Sequence, residues 1–168
     1  IHVSALGIEK AIDSEYAKSK LEGEKNILNN FSSSVILRPS LVYSVNDNFT
    51  TNIMTLLSLL PVFPLYYNGN TKFSPIHVTD FCEIIAKIID ESIFSEIIEC
   101  VGPEELSFKE IIKKLLIAID KKTFLLPVPT IIAKITAFFL EKLPTPLITQ
   151  DQLRLLKYDN IPSQENKS

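Results

Sequence analysis

Apolar runs separated by polar punctuation divide this chain into segments that read alternately as strand and helix. Residues 1–7, Ile-His-Val-Ser-Ala-Leu-Gly, read as the end of a buried strand running into a loop. A helix is predicted over 14–29, opened by Asp13 or Ser14 as N-cap and closed at the polar pair Asn29-Asn30. Residues 34–39 return to an apolar run that ends at Pro39, a second strand. Strand, helix and strand in that order predict a parallel crossover unit. Ser4 and the start of the helix would then lie at the carboxyl edge, where α/β sheets bind ligands.

The rest of the chain carries clear boundaries. A polar loop over 44–48 precedes a helix over 49–60, which Pro61 stops. Residues 65–67 and 72–74 flank Asn68-Gly69-Asn70, a turn signature that predicts a short hairpin. Asp80 and Glu83 have capping-box spacing and predict a helix to about Asp90; Ser107 and Glu110 predict another to Ile119. Between them, 96–101 reads as a strand closed by Gly102-Pro103, and 122–127 as a short one. A helix over 130–143 is bounded by Pro129 and Pro144, and Thr149 and Gln152 cap a last helix to about Tyr158. The polar tail, 162–168, is expected to be disordered.

Composition narrows the classes. With 168 residues and 46% apolar content, the chain suffices for one domain with a sizeable core. A net charge of −3 argues against a nucleic-acid partner, which calls for a basic face. Cys82 and Cys100 fit neither a metal-ligand spacing nor a disulfide framework, and both are expected to be buried as small apolar residues. No His/Cys/Asp/Glu grouping has metal-ligand spacing, so no metal is expected. The longest apolar run, near 130–140, is interrupted by Lys134 and falls short of the ~20 residues of a spanning helix. Its Phe138-Phe139-Leu140 cluster suits either core packing or docking on a partner or membrane surface.

The candidate chemistry sits on the first helix. Tyr16 and Lys20 stand at i and i+4, which stacks them on one helical face. A phenol has a reference pKa of about 10, and a fixed cation beside it favours the phenolate. The Ser4 hydroxyl, delivered from a strand end, would hold a substrate carbonyl or alcohol against that phenol. Acid/base group, cation and orienting donor together suit hydride-transfer chemistry. Arg38 is expected in a structural salt bridge, His77 as a hydrogen-bonded structural residue, and Asp80 as a helix cap.

Several stretches resemble the extended short-chain dehydrogenase/reductase superfamily of NAD-dependent epimerases and dehydratases. They are Val3-Ser4-Ala5, Tyr16-x-x-x-Lys20, Leu37-Arg38-Pro39-Ser40-Leu41-Val42-Tyr43, and Ser74-Pro-Ile-His-Val-Thr-Asp80. The stretch 143–160 is similar to the atypical branch that includes the dinucleotide-binding accessory subunit of respiratory complex I and its bacterial relatives. The resemblance implies an α/β fold, the C-terminal part of a Rossmann-type parallel sheet with a small, mostly helical substrate or lid lobe. Residues 1–79 would belong to the NAD(P)-binding domain and 80–161 to the lobe. It implies NAD or NADP as cofactor, Ser4, Tyr16 and Lys20 as catalytic residues, and Lys20 bridging the nicotinamide ribose with Tyr16 beside it. The backbone of Pro39, Ser40, Leu41 and Val42 would contact the carboxamide. Ser44 stands where the family often has glycine, so the loop is expected to take another path.

The family's glycine-rich turn, which holds the pyrophosphate, has no counterpart among Gly7, Gly23, Gly69 and Gly102. The chain is therefore expected to be the carboxyl-terminal part of a longer protein. The resemblance allows three functions. The dinucleotide is mainly structural, in a cytoplasmic or inner-membrane-peripheral protein linked to a respiratory or quinone-related assembly. Alternatively, the protein is an active oxidoreductase or epimerase, or the chain is a remnant without function.

Overall fold

The computed structural model describes residues 1–142 and 149–163. The elements run β1 (His2–Val3), α1 (Glu15–Asn30), β2 (Ile36–Pro39), β3 (Val42–Tyr43), α2 (Asn48–Leu59), β4 (Val62–Tyr66), a 3-10 turn (Tyr67–Gly69), β5 (Lys72–Phe73), β6 (Ile76–His77), α3 (Val78–Asp90), β7 (Ile97–Cys100), β8 (Leu106–Ser107), α4 (Phe108–Ala118), β9 (Phe124–Val128), α5 (Thr130–Leu140) and α6 (Gln150–Leu155).

The predicted crossover is present. β1, β2 and β7 form one parallel sheet in that order, with His2 opposite Ile36 and Ile36 opposite Ile97. β2 is its central strand, and Ile36 and Leu37 are fully buried, which is why this run is apolar on both faces. Leu37, Ile76, Phe81, Ile88 and Cys100 pack α3 onto one side of it. β3 pairs in parallel with β6 just beyond the carboxyl end of β2.

A second body of core surrounds the parallel pair β4–β9. Phe63 and Leu65 on one face meet Ile53 and Leu57 of α2 and Phe108 and Ile112 of α4. On the opposite face, Tyr66 packs with Ala133 and Ala137 of α5 and Leu153 of α6. The boundary expected after Thr79 does not separate the sheet from the later elements, because β7 returns to the main sheet.

Arg38 makes the expected structural bridge. Its Nε and Nη2 donate to the two carboxylate oxygens of Glu24 at 2.9 and 2.6 Å, and Nη1 donates to Glu9. The pair joins β2 to the inner face of α1, where the Glu24 side chain is only 5% exposed. Burial alone would push the Glu24 carboxyl upward. The Arg38 hydrogen bonds and charge, with Ser4 and His2 nearby, outweigh it and hold the carboxyl below its usual range.

Several expectations are corrected. No hairpin forms around Asn68-Gly69-Asn70. Tyr67 and Asn68 take left-handed φ values of 50° and 59°, and the turn docks on α4, where a Cβ on Gly69 would lie 2.9 Å from Lys109 Cβ. The flanking strands pair elsewhere, β4 with β9 and β5 antiparallel with β8, so long-range packing overrides the local turn signal. α3 begins at Val78, capped by extended His77, whose Nδ1 accepts from Thr79 N at 3.3 Å. Asp80 therefore lies inside the first turn, where its charge complements the helix dipole. Cys100 is buried, which pushes its thiol up to about 11, but Cys82 is exposed because Phe81 takes the inward position on α3.

Ser44 does not take a positive φ, and its N–H donates to Asp47 Oδ2 at 3.1 Å. α6 ends at Leu155, short of the predicted Tyr158, and α5 at Leu140, with residues 143–148 outside the described residues. Of the tail expected to be disordered, Ser163 is held by Glu99 through two hydrogen bonds, and 164–168 lie outside the described residues.

Candidate functional site at the carboxyl end of the first strand

α1 is started by Ser14, whose Oγ accepts from Ala17 N at 3.2 Å. A second group completes the cap from far along the chain. Asp151 of α6 accepts from Ser14 Oγ at 2.9 Å, Glu15 N at 2.9 Å and Tyr16 N at 3.0 Å. A carboxylate at this end also complements the positive pole of the helix. Burial would raise the Asp151 carboxyl, but the two amides, the hydroxyl and Arg154 hold it below the usual range. Asp151→Ala is expected to cost about 1–3 kcal/mol, the scale of charge-assisted hydrogen bonds to orphan helix amides, and chemical denaturation will read it. A loss of under a few tenths of a kcal/mol would show that solvent satisfies these amides equally well.

The cap fixes Tyr16 and Lys20 in space. Lys20 Nζ donates to the carbonyl of Val3, the last residue of β1, at 3.2 Å, and lies 5.8 Å from the centre of the Tyr16 ring. Phenol and ammonium thus share one face of α1 beside the end of the first strand. The Tyr16 side chain remains open to solvent at 44% exposure, available to a ligand. Its phenol is pushed above the ordinary value by partial burial, the reverse of the lowering expected from Lys20. Lys20 Nζ is engaged by the Val3 carbonyl, and desolvation dominates at the phenol.

Ser4 does not complete the expected trio. It is buried, its hydroxyl makes no hydrogen bond of normal geometry, and it contributes to the low pKa of Glu24, on the inner side of α1. The Pro39–Val42 stretch does lie at the carboxyl end of β2, but much of it is committed. Pro39 O accepts from Leu6 N, Ser40 N donates to Cys100 O, and Leu41 O accepts from Ile76 N, at 2.9, 3.0 and 2.9 Å. Val42 belongs to β3. The Ser40 hydroxyl donates to Asn160 Oδ1 at 2.6 Å, and Asn160 Nδ2 donates to Leu6 O at 2.6 Å. Asn160 therefore ties together the loops that leave β1 and β2. Neither Asp151 nor Asn160 stands out in the sequence, where each is one polar residue far from its partners.

Two surface hollows lie among the described residues. One is lined by Tyr67, Asn70, Thr71, Leu156, Lys157 and Asp159; the other includes Asp13, Lys134, Gln150 and Arg154. Neither is lined by Ser4, Tyr16 or Lys20. No group of three or more His, Cys, Asp or Glu among the described residues is placed to hold a metal ion.

The residues present fit one end of a dinucleotide. An amine and an open phenol on one helical face beside a parallel strand's carboxyl end suit a nicotinamide ribose. None of the four glycines is free to form a phosphate cradle, because each is used otherwise. Gly7 packs on Asp159, Gly23 faces the His2 ring, Gly69 meets Lys109, and Gly102 meets the Pro75 carbonyl.

Comparison with known proteins agrees with this architecture. The chain is 26% identical over 97% of its length to the NADH dehydrogenase [ubiquinone] 1 alpha subcomplex subunit 9 of Arabidopsis thaliana. It is 31% identical over 71% of its length to a UDP-glucose 4-epimerase of Vibrio cholerae. It spans less than half of either protein, 43% and 38% respectively. Among solved structures, a dTDP-4-dehydrorhamnose reductase of Bacillus anthracis in complex with NADP matches 88% of the chain and 51% of its own, at TM-score 0.60 and 25% identity. Other chains of this fold hold NAD. No family model matches. The resemblance to NAD(P)-binding epimerase/dehydratase-type proteins, including the complex I subunit branch, thus extends over most of the chain in both sequence and fold.

Proposed function

We propose that this chain is the nicotinamide-side, carboxyl-terminal part of an NAD(P)-binding protein, in which the dinucleotide serves mainly as a structural element. The observation that carries this reading is Lys20, whose ammonium bridges the end of β1 and the ring of Tyr16 at the carboxyl edge of a parallel sheet. An amine so placed donates to ribose hydroxyls. The structural rather than catalytic role is supported by two features. Burial makes the Tyr16 phenol a weaker acid than free tyrosine, and Ser4 is enclosed on the Glu24 side of α1. Both features disfavour a proton relay from Tyr16 to a substrate hydroxyl.

The relatives named as ubiquinone-dependent NADH dehydrogenase subunits support a respiratory or quinone-linked assembly as the setting. An active oxidoreductase or epimerase is the second reading, favoured by the retained Tyr16–Lys20 pair. Titration with NADH and NADPH, alongside assays with candidate alcohols and ketones, separates them. The chain supplied with a glycine-rich amino-terminal half is expected to bind dinucleotide without turning over, and the chain alone to bind weakly or not at all. Sustained turnover would favour the enzyme, and tight binding by the chain alone would overturn the split-site reading.

A further inference from the structure

Helix α5 is packed in an unusual way: its alanines, Ala133 and Ala137, face inward, while Ile131, Ile135 and Phe138 face water. Ala133 and Ala137 are buried against Tyr66 and Leu153, whereas Ile131, Ile135 and Phe138 are 75%, 54% and 45% exposed. At 100° per residue these three fall within one stripe, opposite the alanines. The stripe continues the character of the sheet face beneath it. Side chains alternate along β4 and β9, so Val62, Phe124 and Leu126 share the face on which Tyr66 and Val128 meet α5. All three are more than two-fifths exposed. A soluble surface rarely leaves such a set of large apolar groups uncovered on one side of a lobe.

The charge around this face is distinctive. From Asp120 to Lys142 the chain carries four lysines and two acids, Asp120 and Glu141, a net +2 within a protein of net −3. Glu141 is occupied by Gln150, whose N and Nε2 donate to it at 2.9 and 3.1 Å. Lys134 flanks the stripe, and Lys142 Nζ lies 4.2 Å from the Phe138 ring centre. Lys134 also lines the hollow shared by Arg154 and Lys157, where Asp13 and, through Arg154, Asp151 partly offset the charge.

From these observations we infer that the outer face of α5 and of the β4–β9 pair docks on an anionic lipid bilayer. An apolar stripe edged by lysines matches a headgroup boundary, the apolar groups entering the acyl region while the ammonium groups meet phosphates. A second copy is a poorer occupant, because a two-fold contact through this face sets like charges against each other. The helix lies on the bilayer; no helix among the described residues is long and apolar enough to cross one. The inference goes beyond dinucleotide binding and does not depend on it.

Flotation with vesicles of phosphatidylcholine, with and without phosphatidylglycerol, tests it. Binding is expected only with the anionic lipid and is expected to weaken as salt rises. Ile131→Ser with Ile135→Ser should abolish it while circular dichroism and any dinucleotide binding stay unchanged. Lys134→Gln and Lys142→Gln should each weaken it about fivefold. Absence of binding to anionic vesicles, equal binding to neutral ones, or binding that survives the double serine variant would overturn it. So would a dimer, or a complex with another protein, that depends on Ile131 and Ile135 when lipid binding is absent.

Discussion

Arg38→Ala is expected to destabilise the fold by about 3–5 kcal/mol, a large part of the 5–15 kcal/mol typical of a domain. The size reflects the group left behind. Glu24 keeps a carboxylate that is only 5% exposed, on the face of α1 that packs against the sheet, with its bidentate partner removed. Arg38→Lys should recover only part of the loss, because an ammonium cannot reproduce the two parallel bonds. The same pair sets an acid limit. The Glu24 carboxyl lies lower in the folded chain than in the unfolded one. Its contribution is therefore complete above the unfolded value, near 4.3, and is lost as pH falls through the folded value. Urea denaturation at neutral and acidic pH reads both effects. Equal stability of Arg38→Ala and wild type at neutral pH would mean that Glu24 gains protons or water without penalty.

The parts of the fold legible in the sequence are those set locally. Ser14 and Ser107 cap helices because their hydroxyls reach amides three residues away, and the apolar run to Pro39 is buried because it is the central strand. The i, i+4 placement of Tyr16 and Lys20 likewise survives folding, since one helix fixes it. The illegible parts depend on distant partners. Asn68-Gly69-Asn70 has hairpin chemistry, yet β4 finds β9 about sixty positions later. Asp80 has cap spacing, yet His77 caps first. Asp151 reaches the amides of α1 from 136 and 135 positions away, and Asn160 reaches Ser40 from 120. The direction of the Tyr16 pKa is also hidden, because spacing conveys that a cation is near but not how far burial of the ring opposes it.

Lys20→Ala is expected to have the largest effect on ligand binding. The ammonium of Lys20 is already oriented by the Val3 carbonyl, so it loses little freedom when it also donates to a ribose. Hydrogen bonds to a charged donor contribute about 1.5–3 kcal/mol, which corresponds to roughly 10- to 100-fold in dissociation constant. Tyr16→Phe removes only a hydroxyl from an exposed ring, and its affinity is expected to stay within about threefold of wild type, below the ~1 kcal/mol of a neutral hydrogen bond. Were Tyr16 an acid in turnover, the same substitution would instead slow the reaction by about 10²–10⁴-fold.

Calorimetric titration of NADPH and NADH into wild-type, Lys20→Ala and Tyr16→Phe proteins, each joined to a glycine-rich amino-terminal half, therefore probes the strand-end site most directly. Weakened binding confined to Lys20→Ala is the predicted result. Unchanged affinity in Lys20→Ala would mean that the dinucleotide, if bound at all, lies elsewhere than beside β1.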